Sequence, residues 1–164
     1  MKNIKMIDWS CQERRTPVIM NVNLEFAHKM LQAYNMRCKP LCQEIRMPQT
    51  AFDILMFLAN NPEFHTARDI VEIRKIKANL VSVNVDKLVR EGYLDRRESP
   101  EDRRKTLLVC TVKAEPVIEK GHQLQAAFWG ELFGNIDEES LAVFSRMMKM
   151  VGANLDKMIE GQDN

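Results

Sequence analysis

The 164-residue chain has no apolar run near the ~20 residues that span a bilayer, which excludes a membrane-spanning helix. Met1–Arg15 lacks the apolar stretch of a signal peptide and holds Asp8 and Trp9 instead, so the chain is expected to stay in the cytoplasm. Six glycines and six prolines are too few for a collagen-like or low-complexity chain. Four cysteines, Cys11, Cys38, Cys42 and Cys110, make no disulfide scaffold and are expected to be reduced. Only Cys38 and Cys42 lie close together, and His28, His65 and His122 are scattered, so zinc-finger spacing fails and no metal is expected. A nucleophile motif and a glycine-rich phosphate loop are both missing, which points away from an enzyme and from a bound cofactor.

What is present is ordinary globular material, 45% hydrophobic and 29% charged, enough for one domain or one domain with helical extensions. Net charge is only +1 but unevenly spread: +2 over residues 1–65, +4 over 66–113 and −5 over 114–164. Any polyanion would therefore meet the middle of the chain.

Thr16-Pro17 reads as a helix start, followed by a helix from Val18 to about Cys38 that Pro40 ends. A second helix starts near Pro48 and places Phe52, Leu55, Met56 and Ala59 on one stripe. Thr66 and Asp69 form a capping box for a short helix, Ala67 to about Arg74, with Ile70 and Ile73 inward. After a break at residues 74–77, a helix over Ala78–Arg90 buries Val81, Val85 and Leu88 and stops at Gly92. The period then changes: Tyr93–Arg97 and Lys105–Val112 read as two strands around a polar loop. Helices follow over about Lys113–Phe133 and Glu138–Ile159. The last carries Leu141, Phe144, Met148, Val151, Leu155 and Met158 at alternating spacings of three and four, a heptad seam.

Short helix, tight turn, longer helix and hairpin make a winged helix-turn-helix, and the longer helix is of a size that the major groove admits. Opposite its buried stripe lie Asn79, Ser82, Val83, Asp86 and Arg90. Lys75 and Lys77 at its start suit phosphate oxygens, and Asn79 and Ser82 are short enough to reach base edges. Asp86 argues the other way, because a carboxylate repels phosphate, and a merely solvated helix face stays open. The hairpin adds Arg96 and Arg97 on its first strand and Arg103, Arg104 and Lys105 at its tip, a charge pattern that suits a narrow minor groove. Its own acids, Glu98, Glu101 and Asp102, allow the alternative of a self-balanced surface hairpin.

Residues 66–105 resemble the DNA-binding lobe of the multiple-antibiotic-resistance regulator (MarR) family, through the VDKLVREGYLDR run at 85–96 and the EDRR run at 101–104. The resemblance extends over about residues 17–160. It implies a mainly α fold with a small β-hairpin wing: an extension (1–16), an N-terminal dimerisation helix and linker (17–47), the winged lobe (48–112) and C-terminal dimerisation helices (113–164). It also implies a cytoplasmic homodimer that binds double-stranded DNA at a pseudo-palindromic operator, most simply as a repressor. By position, Asn79, Ser82 and Val83 would face the major groove, Arg103 would be the wing arginine, and Asp102 would hold the loop, with Arg104 suited to either task. Three positions depart from the family pattern. Lys75 stands where glycine is common, Val83 where a polar or basic side chain is common, and Glu115 where glycine is frequent after the second strand. The alternative is a winged-helix module for protein–protein interaction that no longer reads DNA.

Many members of the family respond to small aromatic acids or oxidants. Phe26, Met30, Tyr34, Phe52 and Met56 are the candidates for lining such a ligand pocket, with plain core packing as the alternative. Cys11, with Arg14 and Arg15 near it in sequence, is the candidate reactive thiol.

Overall fold

The computed structural model describes residues 24–160. Six α-helices and one hairpin follow in the order α1 (Leu24–Glu44), α2 (Gln49–Asn60), α3 (Ala67–Arg74), α4 (Ala78–Arg90), β1 (Leu94–Glu98), β2 (Thr106–Cys110), α5 (Glu115–Phe133) and α6 (Glu138–Glu160). The fold is mainly helical with a small β-hairpin wing. Two compact units meet in sequence between residues 49 and 50. None of the described helices is long and apolar enough to cross a membrane.

In the first unit, the expected start at Thr16-Pro17 and the thiol Cys11 lie outside the described residues. The expected stop at Pro40 is overturned: α1 runs through it to Glu44. Proline removes one helical hydrogen bond, yet the buried stripe Cys38, Leu41 and Cys42 continues across it, and that burial outweighs the local break. The helix ends in a Schellman turn, with the Met47 amide donating to the Cys42 carbonyl and the Arg46 amide to that of Gln43. Arg46 takes the left-handed conformation, at φ 54°, that glycine usually fills.

In the second unit, Phe52, Ile54, Leu55, Ile70, Val81, Val85, Leu88, Leu94 and Leu108 form the core. Gly121 of α5 lies against α2 so closely that an added Cβ would stand 2.3 Å from Met56 Sδ and 3.3 Å from Phe52 Cζ. A larger residue there would have to displace the Met56 side-chain end and press on the Phe52 ring. The capping box of α3 forms as the sequence predicts: the Asp69 amide donates to Thr66 Oγ1 at 3.1 Å, and the Thr66 amide donates to Asp69 Oδ2 at 2.8 Å. Ile73, expected inward, is 45% exposed, and of the two isoleucines only Ile70 reaches the core. The α4 end is a second Schellman turn: Gly92 at φ 77°, its amide bonded to the Val89 carbonyl and the Tyr93 amide to that of Leu88. This turn uses the Tyr93 amide, so β1 begins one residue later than expected.

The strands pair antiparallel, with Leu94 opposite Cys110, Arg96 opposite Leu108 and Glu98 opposite Thr106. On the other side of β2, the Leu108 amide donates to the His65 carbonyl at 2.7 Å and ties the wing to the loop before α3. A 3-10 turn over Val112–Ala114 ends β2 earlier than the sequence suggests. Pro116 sits in the first turn of α5, where its missing N–H costs nothing. Asp137 caps α6 through the Ser140 amide and hydroxyl. No residue of α6 is buried, so its heptad seam is not a core stripe among the described residues.

Candidate nucleic-acid interface

The helix-turn-helix is positioned by two opposed demands on α4. Val81, Val85 and Leu88 must be buried, and Asn84 is buried with them, its amide donating to the Leu80 carbonyl at 2.8 Å. The spacing that satisfies this leaves Asn79, Ser82, Val83, Asp86 and Arg90 all exposed. Val83 is 66% exposed, a large solvent share for an apolar side chain with no core role.

The turn between α3 and α4 is made by Lys75 at φ 53°, in the left-handed region where a glycine would be unstrained. That conformation closes α3 and re-aims the chain for α4 within three residues. Lys75 and Lys77 are exposed, and neither forms an ion pair among the described residues.

The wing loop is built by short local bonds. The Ser99 amide donates to the Lys105 carbonyl, the Lys105 amide to the Asp102 carbonyl, and the Glu101 amide to Ser99 Oγ. Asp102 Oδ1 accepts from the Arg104 backbone amide at 3.0 Å and from Arg104 Nε at 3.3 Å. Asp102 therefore organises the loop, and Arg104 is drawn to it. Arg103 is exposed and has no ion-pair partner among the described residues. Arg97 reaches Asp95 loosely, at 3.8 Å on the same strand face.

Sequence reasoning missed the ion pair between Arg96 Nη2 and Asp86 Oδ1, which links the ribbon to α4. The signal was available. Strand alternation puts Leu94 and Arg96 on one face, and once Leu94 is buried, Arg96 must project toward α4. Lys113 was also overlooked: its ammonium lies 4.9 Å from the Tyr93 ring centroid and donates to the Glu91 carbonyl, fixing the joint between α4 and the wing.

The five pocket candidates fall on two helices. Phe26 is 52% exposed on α1, where Met30 and Tyr34 are half-buried. Phe52 and Met56 on α2 are packed against the α5 backbone at Gly121. Burial pushes the Cys110 thiol above its ordinary pKa, which lowers its thiolate fraction and its reactivity.

Residues 47–105 match the MarR family. The chain is 20% identical over 119 residues to the HTH-type transcriptional regulator BilQ of Clostridium symbiosum, covering 73% of this chain and 82% of that protein. Its fold is similar to a MarR family transcriptional regulator from Listeria monocytogenes solved with a 26-mer DNA, at TM-score 0.71 and 15% identity over 87% of this chain and 95% of the other. It is also similar to a MarR transcriptional regulator from Methanosarcina mazei, at TM-score 0.69 and 17% identity over 91% and 98%.

Proposed function

From the match of residues 47–105 to the MarR family we propose a homodimeric repressor that reads a pseudo-palindromic DNA operator. The observation that carries this reading is the exposed polar stripe of α4 joined to a ribbon whose tip arginine has no partner among the described residues. In this reading α4 lies in the major groove. Asn79 and Ser82 hydrogen-bond base edges, and Val83 touches a thymine methyl. Lys75, Lys77, Arg97 and Lys105 hold phosphates, and Arg103 enters the minor groove. Arg104 braces the loop through Asp102. Arg96 joins the phosphate set only by giving up Asp86.

The exposed seam of α6 supports the dimer. Phe144, Met148, Val151, Leu155 and Met158 are 47–65% exposed along one heptad seam, the kind of apolar surface that marks an interaction site. The −5 charge of residues 114–164 suits a platform held away from phosphate. A two-fold dimer then spans half-sites about one helical turn, ~10 base pairs, apart. Release by a small aromatic acid is the finer proposal. Contact would come from Phe26, Met30 and Tyr34, since Phe52 and Met56 are already occupied by packing.

The test is selection of bound duplexes from a random pool, followed by a salt titration on the enriched sequence. The reading expects an enriched palindrome and an affinity that falls with salt at about −0.9 per phosphate neutralised. Weak, unselective binding would overturn it and favour a protein-binding module. A small aromatic acid that lowers operator affinity in the same titration would support the ligand step.

A further inference from the structure

The contact between Asp86 and Arg96 joins α4 to the wing, and it occupies an arginine that could otherwise meet DNA. Asp86 lies on the exposed stripe with Ser82, Val83 and Arg90. A bare carboxylate there would repel the backbone of any duplex. Paired with Arg96, its charge is offset at the cost of one cation. The two side chains are 54% and 46% exposed, so a phosphate could compete for the guanidinium. Arg103, Lys75 and Lys77 have no ion-pair partner among the described residues and are free to act on any DNA.

We propose that Asp86 is a specificity-determining residue that acts by occupying Arg96. This rests on the DNA-reading function proposed above. Affinity for arbitrary DNA is almost wholly a matter of how many phosphates are neutralised. Holding Arg96 back removes one such contact from every duplex. On the operator the same ion pair has a second effect. It fixes the ribbon relative to α4, so that helix and wing meet their two grooves together. On arbitrary DNA no such register is needed, and only the lost contact counts. The pair therefore lowers unspecific affinity more than operator affinity, which is discrimination obtained by withholding attraction.

The experiment compares the full-length protein with D86N, on the selected operator and on a scrambled duplex of equal length, across a salt series. D86N is expected to bind the scrambled duplex about fivefold more tightly near ~0.1 M salt, with a slope steeper by about 0.9. The operator-to-scrambled ratio should fall by roughly tenfold, since the freed contact adds to unspecific binding while the register is loosened. E101Q removes the same charge from the exposed wing loop without touching Arg96, and should shift both duplexes alike. The double variant D86N/R96Q should lose the extra slope. If D86N changes both duplexes by the factor seen for E101Q, or leaves the scrambled slope unchanged, the proposal is overturned. Melting curves check folding, and D86S replaces D86N if that variant is unstable. A wild-type protein that does not prefer the operator would overturn the DNA-reading function, and the specificity role with it. A preference that D86N leaves intact would overturn only the role of Asp86.

Discussion

Lys75 combines a strained backbone with a charge aimed out of the turn. A left-handed φ costs a side-chain-bearing residue roughly 1 kcal/mol, part of which glycine returns through its freer unfolded chain. Lys75→Gly is therefore expected to melt at or slightly above the wild-type temperature. Its DNA affinity should fall, with a salt slope shallower by about 0.9. A loss of stability instead would make the lysine a structural residue. Arg103 poses the opposite case, a charge with no partner among the described residues. Arg103→Ala is expected to weaken operator binding by more than tenfold, about 1.4 kcal/mol or more, without changing the melting temperature. Arg104→Ala should cost less, because Arg104 is already engaged with Asp102 at 3.3 Å. A larger loss for Arg104→Ala would reassign the minor-groove contact to that residue.

At the scale of elements, the start of α6 depends on Asp137. The Ser140 amide and then its hydroxyl, both donating to this carboxylate, hold its pKa below the ordinary value. A carboxyl whose folded pKa is depressed adds stability that is present above its unfolded pKa and lost as pH falls through the folded value. Fraying of the first turn of α6 is thus expected in acid below about pH 4, and Asp137→Asn should largely abolish that pH dependence. Amide exchange at Ser140 across that range is the measurement. Elements with local signals were legible from the sequence: α3 by its capping box, α4 by its stripe and glycine stop, α5 by its first-turn proline. The misplaced boundaries were those set by longer-range effects. Pro40 was read as a stop because the burial of Leu41 and Cys42 beyond it cannot be seen from the chain. Ile73 was read as inward by periodicity alone. In the candidate site, the outward residues of α4 followed from its period. The Asp86–Arg96 pair was only half legible: strand alternation sends Arg96 to the Leu94 side, but that this side meets Asp86 depends on how the ribbon packs on α4.

At the scale of the whole molecule, the proposed dimer would cover the seam of α6, none of whose residues is buried among the described residues. The proposed dimer makes a direct prediction: Val151→Glu or Leu155→Glu, each placing a charge on the seam, should shift the protein to monomers in sedimentation. Operator affinity should then collapse, because one lobe alone holds a single half-site. A wild-type protein that sediments as a monomer at micromolar concentration would overturn the dimer.

The wing carries one more consequence. β2 bonds to β1 on one side and, through Leu108, to His65 on the other. Among the described residues the outer edge of β1 is thus the edge of the ribbon left open, and four of its five residues, Asp95, Arg96, Arg97 and Glu98, are charged. Unpaired strand edges invite stacking with other chains, and charge is a common defence against it. Arg96 and Arg97, which carry the positive charge of this strand, thus also guard the ribbon, together with Asp95 and Glu98, against fibril-like self-association. Replacing them with β-branched apolar residues should raise the protein's tendency to aggregate.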